Sequence, residues 1–253
     1  MDIKFTILGC GSSMGVPKVD GDWGKCNSNE KKNHRTRCSA LVKTKNKNIL
    51  IDTSPDLRFQ MLFNKIKMID TVLYTHYHAD QTHGINDLRI FFLRSKKRIP
   101  IYADELTYKY LKKNFSYCFK KETDYPQTLH LKLLKKKFII DGVSFKSLPV
   151  KHGNIHSQCY IINNKCAYAS DVNHIYEKDL KLFFKIDKLI IDCLRFKSHP
   201  SHYNLDEILK LIKYIKPKKT ILTNLNTDLD YNNLLNFLPK NVIPAYDGMT
   251  IKI

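Results

Sequence analysis

The stretch Thr71-Val72-Leu73-Tyr74-Thr75-His76-Tyr77-His78-Ala79-Asp80 decides the reading of this chain. Its first residues form a short apolar, β-branched and aromatic run, the pattern of a buried strand. Its last residues are His76-x-His78-x-Asp80, placed directly after that strand. Two imidazoles at i and i+2 on a turn can face one metal ion. An aspartate two residues further on can reach a second ion or anchor the ligands of the first. With 10 His and 19 Asp in 253 residues, the pattern should arise by chance about 0.03 times, so its place at a strand end points to a metal site.

Further along the chain, other apolar runs end in polar residues in the same way. Ser147-Leu148-Pro149-Val150 leads to His152, Cys166-Ala167-Tyr168-Ala169-Ser170 leads to Asp171, and Thr220-Ile221-Leu222-Thr223 leads to Asn224. Several strand ends delivering polar groups to one edge is how α/β sites are assembled.

Periodicity predicts strands over about 3–9, 38–44, 48–52, 71–75, 99–103, 137–140, 143–150, 157–163, 165–169, 187–191, 219–223 and 241–245. It predicts helices over about 55–66, 80–94, 105–115, 173–184, 204–215 and 230–237. In the segment 204–215, Leu205, Ile208, Leu209, Leu211, Ile212 and Ile215 cover one helical face. About a dozen strands with interspersed helices imply an α/β fold of two sheets with helices packed outside. No repeat, low-complexity run or long linker divides the chain, so residues 1–253 read as a single domain.

Apolar residues make up 43% and charged residues 26%, which places the chain among ordinary globular proteins. No run approaches the ~18 apolar residues of a membrane span. Met1 to Gly9 reads as a strand and not as a signal peptide. Seven cysteines, odd in number and without a C-x-x-C pair, argue against a disulfide framework and for a reducing cytoplasm. The net charge of +19 suggests a polyanionic partner. Lysine is scattered along the whole chain, however, and clusters only at Lys135-Lys136-Lys137 and at 216–219. The charge therefore favours a small anionic substrate over nucleic acid.

The order H-x-H-x-D, P-V-x-H-G and a later S-D resembles the metallo-β-lactamase-fold hydrolases over the full chain. Two further stretches narrow the likeness: Leu8-Gly9-Cys10-Gly11-Ser12-Ser13-Met14-Gly15-Val16-Pro17 and Asn33-His34-Arg35-Thr36-Arg37-Cys38-Ser39. They look like the branch holding the cyclic-phosphate phosphodiesterase of the C–P lyase pathway and, more distantly, the tRNA 3′-processing endonucleases. The resemblance implies an αββα sandwich of two mixed β-sheets with helices on both outer faces. It also implies water-driven hydrolysis with Zn²⁺ or Mn²⁺, one or two ions per chain.

Carried over residue by residue, His76, His78 and His152 would hold the first metal, and Asp171 would bridge. Asp80 would hold the second metal or orient water, and Asp52 would support the ligands from behind. His202, in Ser198-His199-Pro200-Ser201-His202, would protonate the leaving oxygen, and Arg35 and Arg37 would clamp phosphate oxygens. The turn 9–15 would bring glycine backbone close to the site.

Two positions depart from the pattern. Gln81 and Asn224 stand where the family usually has histidines, and both belong to the second metal. Their amide oxygens, with Asp80 and Asp171, would make an oxygen-rich position that favours Mn²⁺ or Mg²⁺ over Zn²⁺. His83 is a candidate replacement. Around Cys26, where relatives carry a structural zinc on several cysteines, only one cysteine is present.

The resemblance therefore implies a metal-dependent phosphodiesterase for a small, compact or cyclic phosphodiester. The alternatives are an RNA endonuclease, an ester, lactone or thioester hydrolase, and a weakly catalytic metal-binding protein. It also carries a homodimer over from relatives.

Overall fold

Fourteen strands form two sheets in the computed structural model, which describes residues 3–121 and 125–253. Met1 and Asp2, the first residues of the expected N-terminal strand, lie outside these. The first seven strands in chain order are β1 (Lys4–Gly9), β2 (Ser39–Lys43), β3 (Asn48–Ile51), β4 (Thr71–Leu73), β5 (Ile99–Ala103), β6 (Leu129–Leu133) and β7 (Lys137–Ile140). They are followed by β8 (Val143–His152), β9 (Ile155–Ile162), β10 (Cys166–Ala169), β11 (Lys188–Asp192), β12 (Lys219–Thr223), β13 (Val242–Pro244) and β14 (Thr250–Lys252). The helices are α1 (Leu57–Phe63), α2 (Ala79–Thr82), α3 (Arg89–Ser95), α4 (Glu105–Asn114), α5 (Ser116–Phe119), α6 (Glu177–Leu180), α7 (Leu205–Ile215) and α8 (Tyr231–Leu235).

One sheet has the order β14-β1-β2-β3-β4-β5-β6 and the other β13-β12-β11-β10-β9-β8-β7. Both are mixed. Strands β3 to β6 are parallel in the first sheet, and β10 to β13 in the second, while hairpins complete each.

Side-chain alternation along the strands builds three apolar layers. Ile49 and Ile51 of β3 point between the sheets with Phe5, Val42, Tyr160, Tyr168 and Ile190. Leu50, one residue over, points out with Leu41 and Val72 and packs beneath α1, α3 and α4. On the second sheet Ile161, Leu189 and Ile191 point out and meet Ile208, Ile212 and Ile215 of α7. That helix is fixed at its start by a capping box: Asn204 accepts from Glu207 N at 2.9 Å and Glu207 accepts from Asn204 N at 3.0 Å. The result is an αββα sandwich whose strands, covered on both faces, read as nearly continuous apolar runs.

All twelve expected strands are present, and two were unforeseen. β6, Leu129-His130-Leu131-Lys132-Leu133, alternates regularly and lies parallel to β5 at a sheet edge. β14 is three residues long, too short for a pattern to show. The helix expected over 80–94 is broken into α2, a 3₁₀ turn at Ile85–Leu88, and α3. Gly84 is the cause. Its N–H bonds Thr53 O at 2.9 Å, and a Cβ there would lie 2.0 Å from Ser54 O, so the chain passes this backbone too closely to continue a helix. The helix expected over 173–184 survives only as α6, because Asn173 and His174 are drawn into pairing with Lys151.

Candidate active site

Chain geometry carries the polar residues to one edge. Asp52 follows β3, Thr75 to Asp80 follow β4, His152 ends β8, Asp171 follows β10, Asp192 ends β11 and Asn224 follows β12. The two sheets are stitched together there, where Gln158 N donates to Thr75 O at 2.9 Å and Tyr160 Oη to Tyr74 O at 2.6 Å. Asp52 and Asn224 both have φ of 62°, a left-handed conformation that Asp and Asn tolerate better than most side chains.

His76, His78 and His152 each offer a ring nitrogen to a common point, all within 4.8 Å of one another. Their protons can be assigned by tracing donors. Asp52 is fully buried and accepts from Thr75 N at 2.7 Å and Thr75 Oγ1 at 2.8 Å. The Thr75 hydroxyl has thus spent its proton, so at 3.0 Å it must accept from His76 Nδ1–H. His76 Nε2 is left bare, buried and without a hydrogen-bond partner among the described residues. Likewise His152 Nδ1 donates to Ser201 O at 2.8 Å, leaving its Nε2 facing His78 Nδ1 at 3.4 Å. Burial lowers the His76 ring to a pKa of about 3, so it is neutral. Neutral imidazoles with converging bare nitrogens are what a divalent cation satisfies, and the residues present fit one.

Asp171 is buried beside these rings. Burial works to raise its carboxyl, but electrostatic interaction with the imidazoles of His76, His152 and His202 outweighs this and holds it below the usual carboxylate range. Its two oxygens face two amides: Gln81 Nε2 at 3.3 Å and Asn224 Nδ2 at 3.4 Å. The positions where histidines were expected therefore present N–H groups to Asp171, and Gln81 Oε1 is left buried and without a partner among the described residues. Asp80 lies close by; burial first, and then the charge of Asp171, push it up to about 6.

His202 sits above His152, with ring centroids 4.7 Å apart. Its Nδ1 meets Asp192 Oδ2 at 2.6 Å. Burial alone would lower this histidine, but the Asp192 carboxylate holds it protonated, with a pKa of about 9. With Nδ1–H committed to Asp192, the proton free to leave is on Nε2. Asp192 was not anticipated, although Leu189-Ile190-Ile191-Asp192 carries the same strand-end signal as Asp171.

The remaining expectations fare differently. Arg35 does not reach this cavity. It is 2% exposed, and its guanidinium donates to Asn33 Oδ1 at 3.0 Å, Leu229 O at 2.8 Å and Asn226 O at 3.3 Å. Arg37 is turned to Asp56 at 3.1 Å and Ser13 O at 3.0 Å and also lies outside the cavity lining. Both instead border a neighbouring apolar groove with Met14, Phe59 and Phe63. His83 is exposed and bonded to Tyr110 Oη at 3.1 Å. Gly9 and Gly11 make room for the backbone of 35–37, where an added Cβ would lie 2.1 Å from Arg37 O and 2.8 Å from Arg35 O, and not for a ligand. The seven cysteines are all free and buried, and none joins a metal-ligating group among the described residues. The cavity, about 320 Å³, is lined also by Ser12 and Ser13, from the 9–15 turn expected close to the site, and by Arg195 and His199, which no motif marked as functional. Among the described residues no helix is long and apolar enough to cross a membrane.

A β-lactamase superfamily domain matches residues 47–223. An octanoyltransferase of Porphyromonas gingivalis is 32% identical over 254 residues, covering 98% of this chain and 51% of that protein. A ribonuclease Z of Clostridium kluyveri is 29% identical over 101 residues, covering 39% of this chain and 28% of that protein. The chain thus spans about half the length, or less, of these curated relatives. Among solved structures, a diphosphatase from the PhnP family superposes with a TM-score of 0.93 at 33% identity, covering 100% of this chain and 98% of that one. Zn²⁺-bound PqqB from Methylobacterium extorquens gives a TM-score of 0.80 at 17% identity, covering 99% of this chain and 100% of that one, and so shares the fold. Matched by a domain over most of its length and by a PhnP-family structure over all of it, the chain belongs to the metallo-β-lactamase superfamily of hydrolases, in the PhnP branch.

Proposed function

We propose that this hydrolase cleaves a compact phosphodiester, in the broad sense that includes the P–O–P link of a diphosphate ester. The observation that carries the reading is the pairing of two devices in one cavity: three converging imidazole nitrogens, those of His76 and His152 bare, and the His202–Asp192 couple that keeps a proton ready. A phosphoryl centre needs charge neutralisation on one side and leaving-group protonation on the other, because an alkoxide leaves poorly. The diphosphatase named for the PhnP-family structure supports the same class of bond.

His76, His78, His152 and Asp171 would hold a divalent ion of the Zn²⁺ or Mn²⁺ kind. Such an ion supplies Lewis acidity, which lowers the pKa of a water and takes up negative charge on a phosphoryl oxygen. The chain's own residues do the rest. Asp52 and Thr75 fix the His76 tautomer, and Ser201 O fixes that of His152. Asp80, with its raised pKa, orients the attacking water and accepts its proton. His202 Nε2 gives a proton to the departing oxygen, and Asp192 stabilises the cation until it does. Gln81 and Asn224 hold Asp171 by N–H donation, which suits one tightly bound ion and a changed second position.

The test is hydrolysis of bis-p-nitrophenyl phosphate by Mn²⁺- or Zn²⁺-loaded protein, abolished in His78→Ala. Inactivity of the loaded protein on this ester and on a panel of cyclic phosphates and diphosphate esters would overturn the reading. A second reading, RNA cleavage, is supported by the ribonuclease Z relative. Cleavage of a precursor tRNA with no activity on small esters would select it.

A further inference from the structure

We propose that Arg195 and His199 form a second anion-binding position at the mouth of the cavity, which takes the outer phosphoryl group of a diphosphate-type substrate. The inference rests on the phosphoester reading above and narrows its substrate.

Arg195 lies in the cavity wall, where Arg35 and Arg37 do not. Its guanidinium is pinned from behind: Nε donates to Lys197 O at 3.1 Å and Nη2 to Ser198 O at 2.6 Å. No carboxylate pairs with it among the described residues, and Nη1 has no partner there. A held guanidinium with an open edge and no counter-ion is a preorganised receptor for an oxyanion, because little side-chain entropy remains to be lost on binding. His199 stands beside it. Ser201 N and Oγ lie 3.3 and 3.1 Å from His199 Nδ1. The backbone N–H can only donate, so Nδ1 is the acceptor and the ring carries its proton on Nε2. The pair thus presents donors only.

Position separates this group from the scissile phosphate. The imidazoles form a series from the floor outward, with centroid steps of 4.9 Å from His76 to His152, 4.7 Å to His202 and 5.0 Å to His199. His76 is buried and His199 partly exposed, so the series runs from the ion-holding floor to the mouth. A phosphoryl group bound between the floor and His202 leaves His199 and Arg195 one step further out, the place of the next phosphoryl group along a P–O–P link. The loop is built for fixed spacing. Ser201 O holds His152, Pro200 O accepts from Asn173 Nδ2 at 3.1 Å, and Arg195 O accepts from Leu205 N at 3.1 Å. One short segment, 195–202, therefore carries a metal-ligand anchor, the proton donor and the outer receptor.

The test compares two anions on the metal-loaded protein. Calorimetry with inorganic pyrophosphate and inorganic phosphate should show pyrophosphate bound at least tenfold more tightly. Arg195→Gln should remove most of that gap, Arg195→Lys should keep part of it, and His199→Gln should narrow it. With a nucleoside diphosphate ester and bis-p-nitrophenyl phosphate as substrates, the rise in KM caused by Arg195→Gln should be at least tenfold larger for the former, with kcat changed much less. A wild-type protein that binds both anions equally, or an Arg195→Gln variant that loses both equally, overturns the proposal. The binding arm stands without any hydrolysis, so a protein inactive on every ester sinks the phosphoester reading while pyrophosphate preference still decides this one.

Discussion

Replacing Arg35 by Met separates the two roles that this residue could play. Methionine keeps the length of the side chain and removes every donor. In the native fold Arg35 is 2% exposed, and its guanidinium serves Asn33 Oδ1, Leu229 O and Asn226 O at 3.0, 2.8 and 3.3 Å. Those acceptors tie the 33–35 segment to the loop after β12, the same loop that begins at Asn224. Two buried acceptors, Leu229 O and Asn33 Oδ1, lose a donor in Arg35→Met, at ~1–3 kcal/mol each, the part-buried Asn226 O adds less, and relief from burying an unpaired cation offsets part of that. The net expectation is a loss of about 3 kcal/mol. For a chain of this size, ~2–4 °C of Tm accompanies each kcal/mol, so melting should fall by roughly 6–12 °C. Arg37→Met, which loses a part-exposed pair with Asp56 and an exposed hydrogen bond to Ser13 O, should cost about 1 kcal/mol. Differential scanning calorimetry on the metal-loaded protein, with steady-state kinetics on bis-p-nitrophenyl phosphate below the transition, measures both. An Arg35→Met protein that melts within 2 °C of wild type (roughly the assay's resolution of 0.5 kcal/mol) while its KM rises tenfold would refute the structural role and restore Arg35 as a substrate clamp.

Three other expectations follow from the same site. Thr75→Val removes the acceptor that fixes the His76 tautomer, and metal affinity should fall ~10–100-fold in a chelator competition; unchanged affinity would take Thr75 out of the account. His202 is held above its ordinary 6.5 at about 9, so its stabilising charge is complete below pH 6.5 and is lost as pH rises through about 9. The alkaline limb of kcat should lie there and move down by about one pH unit or more in Asp192→Asn; a limb that stays in place assigns the proton to another group. Metal analysis after dialysis should give about one ion per chain in the wild type and about two in Gln81→His/Asn224→His; two firmly held zinc ions in the wild type would defeat the altered-site reading.

What the sequence revealed of this site follows a physical line. His76, His78, His152 and Asp171 were legible because each follows an apolar run that has to be a buried strand, and strand ends in parallel register converge on one edge. The twelve expected strands were legible for the same reason. Thr75 and Ser201 were not legible as parts of the site. A hydroxyl or a backbone carbonyl leaves no spacing pattern, and its importance appears only when donors are counted in space. Gly84 shows the opposite failure. The apolar period continues across it, so periodicity alone predicts one helix, while the close approach of Ser54 O forces a break.

The arginines show why residue type and nearness in sequence were not enough. Arg35 and Arg37 lie in a stretch that resembles a phosphate-binding relative, and both end as ties between loops. Arg195 lies in a stretch whose only flagged residue was His202, and it faces the cavity. A guanidinium binds an oxyanion only if its fork is still free after folding, and that depends on which carbonyls lie within reach of each nitrogen. For Arg35, acceptors inside the fold take up both terminal nitrogens. For Arg195, the acceptors Lys197 O and Ser198 O lie on one side and hold the other side open. The same accounting governs the second metal position. Gln81 and Asn224 could offer oxygen to an ion, but beside Asp171 each has a better use for its nitrogen, because a carboxylate held below its usual pKa among imidazoles needs N–H donors. While both amides hold Asp171 through N–H donation they offer a second ion no nitrogen ligand, which is why replacing both with histidine, and not either alone, is the change expected to restore it.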